Sequence, residues 1–115
     1  MIAYGPLETH TRKMVLDWAR TLPTQKIVGV CKDSSHCLLA NYVRAAIPNV
    51  AVVAIAPSRE QKRSRYWLDS LNWELPPALN QLALAFDDLG DLGELNEFGY
   101  RRIGLRTADL DRLPQ

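Results

Sequence analysis

Histidine and cysteine are scarce in this chain, with two of each among 115 residues: His10, His36, Cys31 and Cys37. Two cysteines fall far short of the framework that staples small extracellular domains, so the thiols are expected to be reduced. Histidine-based catalysis would have to draw on His10 or His36 alone. No charge of one sign prevails either. Fourteen Lys and Arg against thirteen Asp and Glu give a formal charge of +1, so no overall field pulls the protein toward nucleic acid or an anionic membrane. Any such attraction must be local. Long apolar runs are missing too. The longest, Val50 to Pro57, is strand-sized, well short of the about 20 residues that cross a bilayer, and no membrane partner is expected. The opening MIAYGPLETHTRK has neither a basic leader nor an apolar signal core, which leads to the expectation of a cytoplasmic protein.

What is present fits an ordered domain. With 47% hydrophobic and 23% charged residues the chain is far from the signature of disorder, and its length suits a single globular domain over 1–115.

Periodicity supplies the elements. Leu7, Thr11, Met14, Trp18 and Leu22 recur at helical steps after Pro6, which predicts a helix over 6–22, stopped by Pro23. KIVGV reads as a short strand at 26–30. Ser34 or Ser35 can cap a helix over 35–47, ended by Pro48. VAVVAIAP, apolar and rich in β-branched residues, predicts the central strand at about 50–56. Residues 65–72 return as its antiparallel partner across a loop at 58–64. Leu75, Leu79, Leu82, Phe86 and Leu89 are spaced four, three, four and three, with prolines entering and Gly90 leaving; a helix over 76–89 follows. The glycine-punctuated stretch after it, through Gly93, Gly99 and Gly104, is irregular with room for one short strand. TADLDRL ends the chain as a short helix capped by Thr107, with Asp109 facing the helix dipole.

The expected class is α+β: a small two-layer domain with helices packed on a short, mainly antiparallel sheet. The competing architecture joins KIVGV, the following helix and VAVVAIA into a parallel β-α-β unit, with the cysteine-bearing loop at the carboxyl end of a strand. Residues 57–115 do not supply the further strand–helix units that such a sheet needs.

VGVCKDSSHCLL concentrates the reactive residue types: Cys31, Lys32, Asp33, Ser34, His36 and Cys37. Structural zinc sites use closer cysteine pairs and a second set, which the chain lacks; no metal and no cofactor are expected. A disulfide between Cys31 and Cys37 is allowed by the loop length. A thiol at a helix start is activated by the dipole, but a cysteine enzyme also needs a positioned base and an orienting group. The stretch GVCKDSSHCLL resembles the phosphate-binding loop of the adenine nucleotide α-hydrolase and phosphoadenylyl-sulfate reductase families through Lys32, Asp33 and Ser34. Where those families have two glycines this chain has Val30 and Cys31, and Gly29 stands in the place of their serine. The resemblance implies a nucleotide-binding loop at 29–37. The residues by themselves read as a polar helix start.

SREQKRSRYW sets Arg59, Lys62, Arg63 and Arg65 directly before Tyr66 and Trp67. Cations beside aromatic rings are the means by which single-stranded nucleic acid is held, phosphates on the former and bases on the latter. Charges at a hairpin tip also protect a sheet edge while the aromatics pack inward. Asp87, Asp88, Asp91, Glu94 and Glu97 form an acidic counterpart that reads as solvated surface, and the two patches together suit contact with a protein partner or with a second copy. The leading expectation is therefore a small, non-catalytic accessory module acting through protein–protein contact or self-association. Nucleic-acid binding through 59–67 is the alternative, and a nucleotide or cysteine site at 29–37 the lesser one.

Overall fold

Thr11 decides where the first helix begins. In a computed structural model, which describes residues 4–24, 26–90 and 104–113, its side chain accepts the Met14 N–H at 3.2 Å, and α1 runs Arg12–Arg20. The continuous helix expected over 6–22 is broken. Residues Gly5–Thr9 form a separate 3-10 turn with Pro6 near its start, and His10 is extended. The break rotates the buried face: Leu7 belongs to the turn, so it no longer sets the helical phase. Val15, Leu16 and Ala19 are buried, while Met14 is 43% exposed.

The order then runs β1 (Ile27–Val30), α2 (Leu38–Ala46), β2 (Val53–Ala56), a 3-10 turn at Gln61–Arg63, β3 (Arg65–Leu68), β4 (Leu71–Trp73), α3 (Pro77–Gly90), β5 (Gly104–Arg106) and a last 3-10 turn at Thr107–Arg112. The class is α+β, as expected. Its strands form two antiparallel sheets, β1–β5 and β2–β3–β4. The parallel β-α-β alternative is therefore overturned, since β1 pairs with β5 and not with β2.

The 50–56 segment also changes place: β2 lies at an edge, and β3 is the middle strand. The reason is a turn inside the segment read as one return strand. Asp69 adopts a left-handed φ of 56°, which Asp tolerates better than most residues, and its Oδ1 accepts the N–H groups of Ala51 and Val52 at 3.0 and 2.9 Å. The chain folds back as β4, and β3 gains partners on both sides.

α2 packs on both β1 and β2, which joins the two sheets, and the buried residues of helices and strands form one apolar cluster. α3 follows its expected span and buries Leu79, Leu82, Ala83 and Phe86. At the last turn the cap is Arg106 rather than Thr107: the Asp109 carboxylate accepts the Arg106 N–H at 2.9 Å. Of the acidic run, Asp91, Glu94 and Glu97 lie outside the described residues, as does most of the expected irregular segment.

Tyr66 ties the amino-terminal turn to the middle strand. It is fully buried, its hydroxyl accepts the Leu7 N–H at 3.1 Å and donates to the Tyr4 carbonyl, and its ring lies tilted on Trp73 at 5.5 Å. Burial raises the phenol pKa; the Leu7 N–H opposes the rise and Glu8 adds to it. Tyr66→Phe removes only the oxygen, leaves the Leu7 N–H unsatisfied, and is expected to cost about 1–3 kcal/mol. Urea unfolding of the two proteins measures this, and an unchanged midpoint would show that the hydroxyl contributes nothing.

Candidate functional site

The cysteine-bearing loop is closed by its own hydrogen bonds. Val30 N–H donates to the His36 carbonyl at 2.9 Å, and Lys32 turns the chain with a left-handed φ of 60°. One oxygen of Asp33 accepts the N–H groups of Ser35 and His36, both at 3.0 Å, and lies 3.2 Å from His36 Nδ1. Burial alone would raise the Asp33 pKa. The Ser35 N–H, the His36 ring and the His36 N–H outweigh it and hold the carboxyl below its ordinary value. The Asp33 carbonyl takes the Cys37 N–H at 2.9 Å, and the Ser34 carbonyl takes the Ile55 N–H at 2.9 Å, which fastens the loop to β2.

Cys37, not Ser34 or Ser35, caps α2: its Sγ accepts the Ala40 N–H at 3.4 Å. Burial pushes its thiol up to about 12, against the Ala40 N–H and with help from the Asp87 carboxylate. Cys31 is buried as well and donates to the Phe86 carbonyl at 3.0 Å; both cysteines are free thiols. No disulfide joins them. Asp87 is the member that sequence reasoning placed on the surface. From α3 its carboxylate accepts the Lys32 N–H at 2.7 Å, a contact across 55 residues that no local pattern announces.

Lys32, Asp33, Ser34, Cys37 and Asp87 rim a cavity of about 230 Å³ floored by Ile55, Pro57, Ala83 and Leu84. Its chemistry is ill suited to a phosphate. A phosphate cradle uses unengaged backbone N–H groups at a helix start, whereas here those of Lys32, Asp33, Ser35, His36, Cys37 and Ala40 already have acceptors. Two carboxylates face the same space. His36 sits at the loop's exposed outer side, and among the described residues no three metal-binding side chains come together. A larger cleft of about 680 Å³ lies between the first 3-10 turn and the start of α3, but its His10 is fixed to α2 through Tyr42, whose hydroxyl is 2.5 Å from Nδ1.

The basic segment is split by the pleat of β3. Tyr66 points into the core; Arg65 and Trp67 point outward together, because alternate residues of a strand share a face. The register sets Trp67 between Ala54 on β2 and Asn72 on β4, and Arg65 opposite Ala56. The strand positions on that outer face are therefore Ala54, Ala56, Arg65, Trp67 and Asn72, with one cation and no carboxylate. The buried residues of the sheet, Val53, Ile55, Tyr66 and Leu68, are on the opposite side, where α2 packs on β2. Trp67 is half-buried and Arg65 exposed.

The preceding loop is firmly anchored. Buried Asn80 of α3 accepts the Ser58 N–H at 3.0 Å and donates to the Ser58 carbonyl at 2.8 Å and to Gln61 Oε1 at 2.9 Å. Gln61 Nε2 in turn donates to the Leu75 carbonyl at 2.5 Å. On this base stand the remaining cations. Arg59 pairs with Asp88 at 3.3 Å and Arg63 with Glu60 at 2.8 Å, while Lys62 is exposed at the tip. Of the six residues read from the sequence as one basic–aromatic patch, Arg65 and Trp67 share a face, Lys62 and Arg63 stand in the turn that precedes β3, Arg59 leans toward α3, and Tyr66 leaves the patch for the core.

Comparison with protein-family models, with curated proteins and with solved structures finds no match.

Proposed function

We propose that this protein is a non-catalytic recognition module that engages its partner on the outer face of the β2–β3–β4 sheet. One observation carries the reading: a partly exposed tryptophan stands beside an exposed arginine on the sheet face opposite the one on which α2 packs, with the short Ala54 and Asn72 as its cross-strand neighbours. A large aromatic kept at a surface is the kind of anchor that dominates binding energy. Support also comes from the cysteine loop, whose polar groups are used to build the start of α2 and whose Cys37 thiol, at about 12, is protonated at neutral pH. A cytoplasmic setting belongs to the same reading. No described helix is long and apolar enough to cross a membrane.

A photoreactive side chain placed at exposed position 72, beside Trp67 on the same face, and in separate proteins at positions 13 and 34, tests the face whatever the partner is. Cross-linking in the native cells is expected to give discrete adducts from position 72 and none from exposed Lys13 on α1. Adducts from position 34 alone would move the function to the 230 Å³ cavity.

A further inference from the structure

We infer that the ligand of this face is single-stranded nucleic acid, an inference that rests on the recognition-face reading above and adds the chemical class of the partner. The geometry supplies the two elements that an unpaired strand requires, a ring for a base and cations for the phosphates on either side. Trp67 is the ring. Its neighbours across the sheet, Ala54 and Asn72, are short, and the partly exposed edge of the indole offers a base a stacking surface. Arg65 lies two residues away on the same face, about 7 Å along the strand, which is close to the spacing of successive phosphates in an extended chain. In the 3-10 turn that leads into β3, Lys62 adds a second exposed cation and Arg63 a third that is shared with Glu60.

Charge decides between polymer classes. The strand positions of the face hold no carboxylate; of the acidic groups that border the Gln61–Arg63 turn, Glu60 pairs with Arg63 and Glu74 accepts from the neutral Gln61 amide at 3.1 Å, so the three cations Lys62, Arg63 and Arg65 stand against two carboxylates. A polyanion finds cations beside a stacking surface there. The formal charge of +1 does not oppose this, because the attraction is set by the local potential within about a Debye length of 8 Å. Loop order helps as well. The cations stand on a turn clamped by Asn80 and Gln61, so little freedom is lost on binding.

Binding of labelled oligothymidine and oligouridine of about 20 nucleotides, a duplex of the same length, and poly-glutamate to the intact protein tests the inference. The single strands are expected to bind, to quench tryptophan fluorescence, and to weaken as salt rises. Trp67→Leu should lower affinity by about 5- to 150-fold, the range for one stacked base, while Trp67→Phe retains most of it; thermal unfolding of both variants confirms that they fold. Arg65→Ala should reduce the slope of log affinity against log salt by about 0.7, one phosphate for a single strand. Equal binding of duplex and single strands, or indifference to Trp67→Leu, would overturn the stacking inference. Preference for poly-glutamate would assign the face to an acidic protein segment instead. No salt-sensitive binding to any probe, with cross-links still formed from position 72, would overturn the ligand class and leave the recognition face standing; loss of those cross-links would remove the face itself.

Discussion

Gly29→Ala is expected to leave the protein largely unfolded at growth temperature. The glycine is not needed for an unusual backbone angle; it is needed because α2 begins almost on top of β1. A Cβ built at Gly29 would lie 2.3 Å from the Leu38 nitrogen and 2.8 Å from both the Cys37 carbonyl carbon and the Leu38 Cα. All three are backbone atoms, so no side-chain rotation relieves the overlap, and α2 must move off the strand. That movement loosens the Val30 to His36 hydrogen bond at 2.9 Å and those of Asn41 Nδ2 to the Val28 and His36 carbonyls at 3.0 and 3.2 Å. Overpacking alone costs about 1–3 kcal/mol, and the strained hydrogen bonds raise the expected loss to about 4 kcal/mol or more. This is comparable with the whole stability of a small domain, about 5–15 kcal/mol. Gly104→Ala is the internal control: among the described residues the atoms nearest its Cβ belong to the Ile27 side chain, at 3.0 Å, which is half-exposed and can swing into solvent. Circular dichroism with urea unfolding separates the two, and a Gly29→Ala midpoint equal to that of Gly104→Ala would refute the close-approach argument.

The same contact shows why some of this fold can be read from the sequence and some cannot. α3 is legible because its apolar positions repeat without interruption and prolines and a glycine mark its ends, so one local rule suffices. The β2–β3 hairpin is legible for a similar reason, a β-branched run followed within a short loop by its partner. Structure and expectation part where a side chain redirects the backbone. Thr11 cuts the first helix by capping Arg12–Arg20, and Asp69 turns the return strand by gathering the Ala51 and Val52 N–H groups. Both residues have the chemistry for these roles, yet so do several neighbours, and only the tertiary arrangement selects among them. The pairing of β1 with β5 joins residues 27 and 106, a separation at which pattern carries no information about partners. The candidate surfaces divide in the same way. The alternation of Arg65, Tyr66 and Trp67 is present in the sequence, but which of the three faces outward follows from where the core lies. Asp87 enters the cysteine loop only because α3 packs beside it.

Raising the pH from neutral to about 11 is expected to destabilise the protein steeply, and Cys37→Ser is expected to flatten much of that fall. The thiol pKa of Cys37 is raised from 9.0 to about 12 in the folded protein, by burial first and by the charge of Asp87 next, against the Ala40 N–H. In the unfolded chain the thiol ionises near its ordinary value. Below that value both states keep the proton and the stability is complete. Above it the unfolded state gains by losing the proton while the folded state does not, so stability drops as pH rises toward 12, by about 1.4 kcal/mol per unit. Over the whole window the loss is about 4 kcal/mol, enough to threaten a domain of ordinary stability. Serine at this position retains an N-cap acceptor and has no proton to lose in the window. Tyr42 and Tyr66, whose phenols burial also raises, preserve a shallower slope in the variant. Urea midpoints for both proteins at pH 7 to about 11 provide the comparison. Parallel curves would mean that Cys37 is accessible to hydroxide in the native state, and the thiol would then have to be treated as a reactive group rather than as the acceptor that starts α2.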